Sequence, residues 1–151
     1  MWVLDTDHVS LIVRGDPQVA ARLRQVAMQT TTTIITVQEF FNGWITQLNE
    51  SDAKRTSSQQ ANEKREQILY QYRRLFLSVE LIKTLPVLEF DVSACDRYEF
   101  LLQQHPLLRK KALQKDMRIA AIALSRNATV VTRNHRDFGQ VPGLKIEDWT
   151  I

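Results

Sequence analysis

The stretch MWVLDTDHVS, residues 1–10, places a short apolar run directly before two acids. The run Trp2-Val3-Leu4 is typical of a buried strand. Thr6 to Val13 then has the pattern of a short helix, which Gly15-Asp16-Pro17 would end. Pro17 suits the first position of a second helix. A buried strand that leads into helices indicates an α/β protein, with Asp5 at the carboxyl end of the first strand.

The rest of the chain repeats this alternation of strand and helix. The second strand is expected at Thr31 to Thr36, centred on Ile34-Ile35. The other expected strands are 86–90, 128–132 and 144–147, and the expected helices are 37–48, 68–79, 93–104 and 116–124. The pattern predicts an α/β sandwich with a mostly parallel sheet of about five strands.

The size and composition indicate one domain. The chain has 151 residues, of which 44% are apolar, and this is enough to bury a core. Residues 49–67 are polar but contain neither Gly nor Pro. We therefore interpret them as a mobile or lid-like segment that merges into a helix, within a single domain that spans residues 1–151.

The composition also excludes several classes of protein. Cys95 is the single cysteine, so the sequence has no internal disulfide and no CxxC metal site. The sequence has no apolar run approaching the roughly 20 residues that cross a bilayer. The acidic N-terminal decapeptide does not resemble a signal peptide. These features favour a cytoplasmic protein without a membrane partner.

The charge is unevenly distributed. The net charge is +3, but residues 105–136 contain eight basic residues and the single acid Asp116, which is a net charge of +7. These basic residues are Arg109, Lys110, Lys111, Lys115, Arg118, Arg126, Arg133 and Arg136. Such a basic stripe favours a polyanionic partner, although a solvated helix face explains it equally well.

Acidic and amide side chains follow the predicted strands where those strands end. Asp5 and Asp7 follow the first strand, Glu39 the second, and Asn134 and Asp137 the fourth. A further acid, Asp116, begins the apolar helix before the fourth strand. In a parallel sheet these positions meet at one edge, where ligands bind. Because clustered carboxylates repel one another unless a cation lies among them, the pattern favours Mg²⁺ or Mn²⁺. The sequence contains neither a GxGxxG nor a GxxxxGK[ST] motif, so it predicts no nucleotide cofactor.

Each acid also has a structural explanation. Asp5 and Asp116 suit helix N-caps. Thr36-x-x-Glu39 fits a capping box, and Asp137 could pair with a neighbouring arginine, Arg133 or Arg136. Taken singly, each acid is more simply explained in this way than as part of an active site.

Four motifs together resemble the PIN-domain family, and more closely the VapC-type toxin endoribonucleases of toxin–antitoxin pairs. They are LDTDHVS at residues 4–10, ITVQEFFNG at 35–43, KDMRIAAIAL at 115–124 and VTRNHRDFGQVPGLKIEDW at 131–149. They occur in the family's order and span nearly the whole chain. The resemblance implies a PIN-like three-layer α/β/α sandwich, cleavage of RNA with Mg²⁺ or Mn²⁺, inhibition by a small antitoxin, and a homodimer.

The resemblance also implies roles for individual residues. Asp5 and Asp116 would ligate the metal, and Glu39 would hold it through water or orient the attacking water. The family's fourth acid falls on Asn134, an amide, and Asp137 could supply the missing carboxylate. Thr6 and Asp7 would support the site, and flanking RNA phosphates would bind Arg109, Lys110, Lys111, Lys115, Arg133 and Arg136.

The amide at position 134 leaves a second reading open. A catalytically decayed PIN module would bind RNA or a protein without cleaving RNA. A receiver-type phospho-acceptor is disfavoured, because Thr132 is followed by Arg133 where a lysine is needed.

Overall fold

A computed structural model describes residues 1–53 and 61–151 of the chain. In these residues, five strands form one sheet in the order β3-β2-β1-β4-β5, and every neighbouring pair is parallel. The strands are β1 (Trp2–Leu4), β2 (Thr30–Thr33), β3 (Val87–Leu88), β4 (Thr129–Val131) and β5 (Lys145–Glu147). The predicted α/β sandwich is confirmed, and the described sheet is wholly parallel.

Helices cover both faces of this sheet. They are α1 (Thr6–Arg14), α2 (Pro17–Val26), α3 (Ile34–Ala53), α4 (Ala61–Thr84), α5 (Val92–Gln104), α6 (Gln114–Ser125) and the single turn α7 (His135–Phe138). The segment between α5 and α6, predicted as a basic loop, contains two 3₁₀ turns, Pro106–Arg109 and Lys111–Leu113. Among the described helices, none combines the length and the apolarity that a bilayer crossing requires.

The prediction for the second strand is wrong at its carboxyl end. Ile34, Ile35 and Thr36 belong to α3, not to β2. The hydroxyl oxygen of Thr33 accepts the backbone N–H of Thr36 at 3.1 Å, so Thr33 caps the first turn of the helix. Residues 34–36 are therefore helical despite their β propensity, because Thr33 caps the helix and Ile35 packs in the core.

The polar stretch 49–67 is helical where the structure describes it. Residues 49–53 complete α3 and residues 61–67 begin α4, as expected of a segment that merges into a helix. The centre of the predicted lid, residues 54–60, lies outside the described residues.

The sheet separates two apolar clusters. Alternate residues of a strand point to opposite faces, so Val3 and Val130 pack with α5 and α6 while Leu4 and Val131 pack with α1 and α2. Helix α6 contributes an unusually apolar segment, and Ile119 to Ala123 are all fully buried. The buried strands and α6 hold the carboxyl edge of the sheet in place, which is where the polar residues gather.

Candidate metal site at the carboxyl edge of the sheet

An open cleft of about 700 Å³ lies at this edge. Elements distant in sequence line it: β1 and α1 supply Asp5 and Thr6, and α3 supplies Glu39. Asp116 comes from the first turn of α6, and Asn134 follows β4. The cleft therefore brings together four of the acids that the sequence analysis selected, Asp5, Asp7, Glu39 and Asp116, but Asp137 does not line it.

Asp5 is the most enclosed acid of the cleft and is held by two donors. The backbone N–H of Thr6 donates to its Oδ1 at 2.7 Å, so Asp5 is also the N-cap of α1. The hydroxyl of Thr132 donates to its Oδ2 at 2.9 Å. The capping explanation and the site explanation both apply to this residue.

Glu39 is positioned by one donor on each carboxylate oxygen. The hydroxyl of Thr6 donates to Oε2 at 2.8 Å, and the ammonium of Lys115 lies 3.3 Å from Oε1. Thr6 therefore links α1 to α3 next to Asp5, which is the supporting position predicted for it.

Asn134 bridges the two remaining acids. Its side-chain amide donates to Asp116 Oδ2 and to Asp137 Oδ2, each at 3.1 Å. Its Oδ1 accepts the backbone N–H of Asp137 at 3.3 Å, which makes Asn134 the N-cap of α7. Asp137 and Asp116 thus share one donor, although Asp137 does not itself line the cleft.

Asp7 is held on both of its carboxylate oxygens, by the neighbouring His8 and by the turn after β4. Oδ1 lies 2.8 Å from His8 Nδ1, and Oδ2 accepts the backbone N–H of Arg133 at 2.9 Å. Burial opposes ionisation here, but the hydrogen bonds from His8 and Arg133 outweigh it and hold the pKa of Asp7 below its ordinary value. Asp7 is therefore an ionised brace of the site.

The two predicted metal ligands show the opposite behaviour. Burial, reinforced by the charges of Asp7 and Asp116, raises the pKa of Asp5 from 3.8 to about 7. Burial, reinforced by Glu39 and Asp137, raises the pKa of Asp116 to about 6. Each carboxyl resists ionisation because burial and the neighbouring negative charges outweigh its hydrogen bonds and, at Asp116, the charge of Lys115.

The structure does not support the purely structural explanations for Asp116, Glu39 and Asp137. Asp116 is not an N-cap, because Leu113 occupies that position of α6. The Thr36–Glu39 capping box does not form, because Thr33 caps α3 and Glu39 binds Thr6. Asp137 has only a long contact with Arg136, at 4.0 Å, while Arg133 pairs with Asp7.

The basic stripe does not form a single surface at the cleft. Lys115 lines the cleft, and Arg133 borders it through Asp7. Arg136 is almost fully exposed beside Asp137, whereas Arg109 donates to the carbonyl oxygen of Leu102. Lys110 and Lys111 are exposed in the turns before α6.

Sequence reasoning missed several residues of the cleft and its supports, among them Thr132, Asn42 and Gly43. Thr132 binds Asp5, and its place at the end of the fourth strand was a usable signal. Asn42 and Gly43 line the cleft one turn beyond Glu39, where helical periodicity from Glu39 would have placed them.

The donor set suits a hard divalent cation. The buried carboxyl of Asp5 and the partly buried carboxyl of Asp116 have raised pKa values next to further carboxylates, and such cations prefer oxygen ligands. As the side chains stand, however, no three His, Cys, Asp or Glu residues of the described segments form a ready metal-binding group. The Asn134 amide lies between Asp116 and Asp137 and donates to both of them.

Comparison with known proteins identifies the fold. No protein-family model matches the sequence, and no curated protein matches it significantly. A solved structure of DNA-bound VapBC from Salmonella typhimurium is similar, with 24% identity, a TM-score of 0.70, and coverage of 98% of this chain and 97% of that one. VapBC2 from Rickettsia felis, bound to a promoter DNA fragment, gives 21% identity, a TM-score of 0.68 and 98% coverage of both chains. VapBC-5 from Mycobacterium tuberculosis gives 24% identity, a TM-score of 0.60, and coverage of 97% of this chain and 94% of that one. This chain therefore has the PIN-domain fold of VapC-type toxins, as its sequence motifs imply.

Proposed function

We propose that the protein is a Mg²⁺- or Mn²⁺-dependent endoribonuclease that hydrolyses RNA phosphodiester bonds, and that it is the toxin of a toxin–antitoxin pair. The main support is the convergence of Asp5, Glu39 and Asp116 in one open cleft of a PIN fold. Two of these carboxyls have pKa values raised by burial and by their acidic neighbours. A divalent cation would relieve both effects.

The chain's own side chains suggest a division of roles. Asp5 and Asp116 would hold the metal, and Asp137 would complete the negative charge around it. When bound, the cation would lower the pKa of a water molecule and neutralise charge on the scissile phosphate. Glu39, fixed between Thr6 and Lys115, would orient the attacking water. The ammonium of Lys115, which is half-exposed, would bind a phosphate next to the scissile one.

An RNA substrate fits the open shape of the cleft and the charges around it. Lys115 and Arg133 border the acids, and Lys110, Lys111 and Arg136 are exposed for further phosphate contacts. Arg109 is a weaker candidate, because its guanidinium already donates to a backbone carbonyl. Phosphate contacts of this kind would make RNA affinity strongly dependent on salt.

A protein partner is supported by an apolar face on α4. Large side chains there are 40–62% exposed: Leu69, Tyr70, Tyr72, Phe76 and Leu77. Such a patch commonly marks an interaction surface. We propose that the protein binds a small antitoxin and a second copy of this chain, and that it does so in the cytoplasm. The similar structures described as VapBC complexes favour the antitoxin.

The decayed-module reading has one observation in its favour. The Asn134 amide, not a carboxylate, lies between Asp116 and Asp137. It donates a hydrogen bond to one carboxylate oxygen of each. If that arrangement persists in solution, the protein would bind RNA or a partner without cleaving RNA.

Mn²⁺-dependent thermal stability separates these alternatives. An ion that binds only the folded state raises the melting temperature by mass action. We expect Mn²⁺ to raise the melting temperature of the wild type, and Asp116→Asn to remove most of this increase. Asp96→Asn, an acid on α5 outside the cleft, is the control and should keep the increase. A wild type that does not respond to Mn²⁺ would favour the decayed module.

A further inference from the structure

His8 lies fully buried on α1, next to the site but outside the cleft. Both of its ring nitrogens have partners. Nδ1 lies 2.8 Å from Asp7 Oδ1, and the backbone N–H of Trp149 points to Nε2 at 3.2 Å. The Trp149 indole packs edge-on against the His8 ring. The imidazole therefore joins the segment after β5 to the acid that braces the cleft.

These contacts assign the tautomer of His8. A backbone N–H can only donate, so Nε2 must be the acceptor and the ring proton must reside on Nδ1. That proton is then donated to Asp7. Asp148 Oδ1 lies farther from Nε2, at 3.5 Å, and already accepts the N–H and the hydroxyl of Thr150.

The other oxygen of Asp7 fixes the turn after β4. Oδ2 accepts the backbone N–H of Arg133 at 2.9 Å and lies 3.3 Å from its Nε. Arg133 stands between Thr132, which donates to Asp5, and Asn134, which donates to Asp116. Holding the Arg133 backbone therefore holds the contacts to both proposed metal ligands.

We infer that His8 is a positioning residue: it relays a hydrogen bond from the backbone of Trp149 through Asp7 to the Arg133 turn and so sets the geometry of the acidic cleft. The three links are Trp149 N–H to His8, His8 to Asp7, and Asp7 to Arg133 N–H. The consequence for catalysis rests on the proposed nuclease function, but the hydrogen-bond relay itself does not.

Two substitutions separate the relay from simple packing. His8→Leu fills much of the ring's space but removes the donor to Asp7. His8→Asn places an amide nitrogen close to the position of Nδ1 and can still donate. Val9→Ala, in the neighbouring buried position of the same helix, is the control for lost packing outside the relay.

Two nuclear magnetic resonance measurements test the relay directly. In the wild type, ring ¹⁵N shifts should show a proton on Nδ1 of His8 and Nε2 as the acceptor of the Trp149 N–H. Amide hydrogen exchange of Arg133 should be at least about tenfold faster in His8→Leu than in the wild type. The exchange rate of the Arg133 amide should fall most of the way back to the wild-type value in His8→Asn. In Val9→Ala it should stay near the wild-type value.

RNA cleavage with Mn²⁺ tests the consequence. The value of kcat should fall about tenfold in His8→Leu and recover in His8→Asn. Across the variants, kcat should correlate with the exchange rate of the Arg133 amide and not with the melting temperature. A proton on Nε2, or an Arg133 amide that exchanges equally in His8→Leu and the wild type, overturns the relay. If His8→Leu does not fold, the wild-type tautomer and the His8→Asn exchange rate decide the matter. A wild type that has the expected tautomer and exchange behaviour but cleaves no RNA contradicts the nuclease proposal and leaves the relay intact.

Discussion

Asp5 and Asp7 lie two residues apart at the start of α1, yet the pKa values of their carboxyls shift in opposite directions. Asp5 is buried at the carboxyl edge of the sheet with acids as neighbours. Asp7 receives donors from His8 and Arg133 on both oxygens. The sequence identified both as candidate acids of the site, but it could not show this difference, because the Arg133 donor to Asp7 and the Asp116 charge near Asp5 come from distant segments of the chain.

The raised pKa of Asp5 predicts an unusual pH profile of stability. The folded protein keeps its proton up to a pKa of about 7, whereas the unfolded chain loses it near 3.8. Between these values the folded state binds more protons, so metal-free stability should fall as pH rises from about 5 to 8. The expected loss is on the order of 2–3 kcal/mol. It would be measured by urea unfolding with EDTA present.

Asp5→Asn should make this profile less steep, since an amide does not titrate, and the raised pKa of Asp116 should leave a smaller decline. Asp7→Asn is the matched control, because the pKa of Asp7 is lowered and its stabilising charge is present throughout this range. It should lower the curve between pH 5 and 8 and reduce its slope less than Asp5→Asn does, because burial still raises the pKa of Asp5 when the charge of Asp7 is gone. A wild-type curve that rises with pH across this range would contradict the assigned environment of Asp5.

Asn134 is the residue at which this chain departs from the family pattern. Asn134→Asp would replace the amide between Asp116 and Asp137 with a third carboxylate. Without metal, the added repulsion should lower the melting temperature. With Mn²⁺, the added charge should give a larger increase in melting temperature than the wild type shows. Calorimetric scans with EDTA and with Mn²⁺ would measure both. Equal Mn²⁺ responses in the two proteins would remove position 134 from the metal site.

At the scale of elements, the start of α3 decides where Glu39 lies. β-branched residues at 30–36 favour a strand, yet the strand ends at Thr33 and the helix begins at Ile34. The Thr33 hydroxyl is the local cause, because it caps the helix. Periodicity predicted the later turns of α3 well, since their apolar positions repeat. It misplaced the boundary because threonine suits both a strand and a helix cap.

Removing this cap should destabilise α3 at its first turn. Thr33→Val keeps the shape of the buried side chain but removes the acceptor for the Thr36 N–H and a partner of the Thr36 hydroxyl. We expect a loss of about 1–2 kcal/mol in the free energy of unfolding. Thr84→Val, near the exposed end of α4, is the control and should cost less than about 0.5 kcal/mol. Equal stability of Thr33→Val and the wild type in urea would show that the cap does not determine the helix start.

At the scale of the whole molecule, the parallel sheet explains why the acids could be selected from sequence. Asp5 and Glu39 follow parallel strands, and Asp116 begins the helix that leads into β4, so topology alone brings them to one edge. The bridging role of Asn134 and the bracing role of Asp7 could not be predicted, because both depend on side-chain contacts across that edge. The sequence left open whether the basic residues at 105–136 bind a polyanion or form a solvated helix face. In the structure these residues have different partners: Arg109 donates to a backbone carbonyl, and Lys115 pairs with Glu39.

The most direct test of the account is Mn²⁺-dependent cleavage of RNA by the wild type and by Asp116→Asn. A fluorescently labelled pool of single-stranded RNAs with randomised sequence would serve as substrate, with EDTA and then increasing Mn²⁺. Asp116→Asn, purified identically, is also the control for contaminating nucleases. The account predicts no cleavage in EDTA, saturable cleavage by the wild type in Mn²⁺, and a rate at least about 100-fold lower in Asp116→Asn, since a lost ligand weakens both metal binding and catalysis. Wild-type protein that binds Mn²⁺ but cleaves no RNA, or equal cleavage by the two proteins, would contradict it.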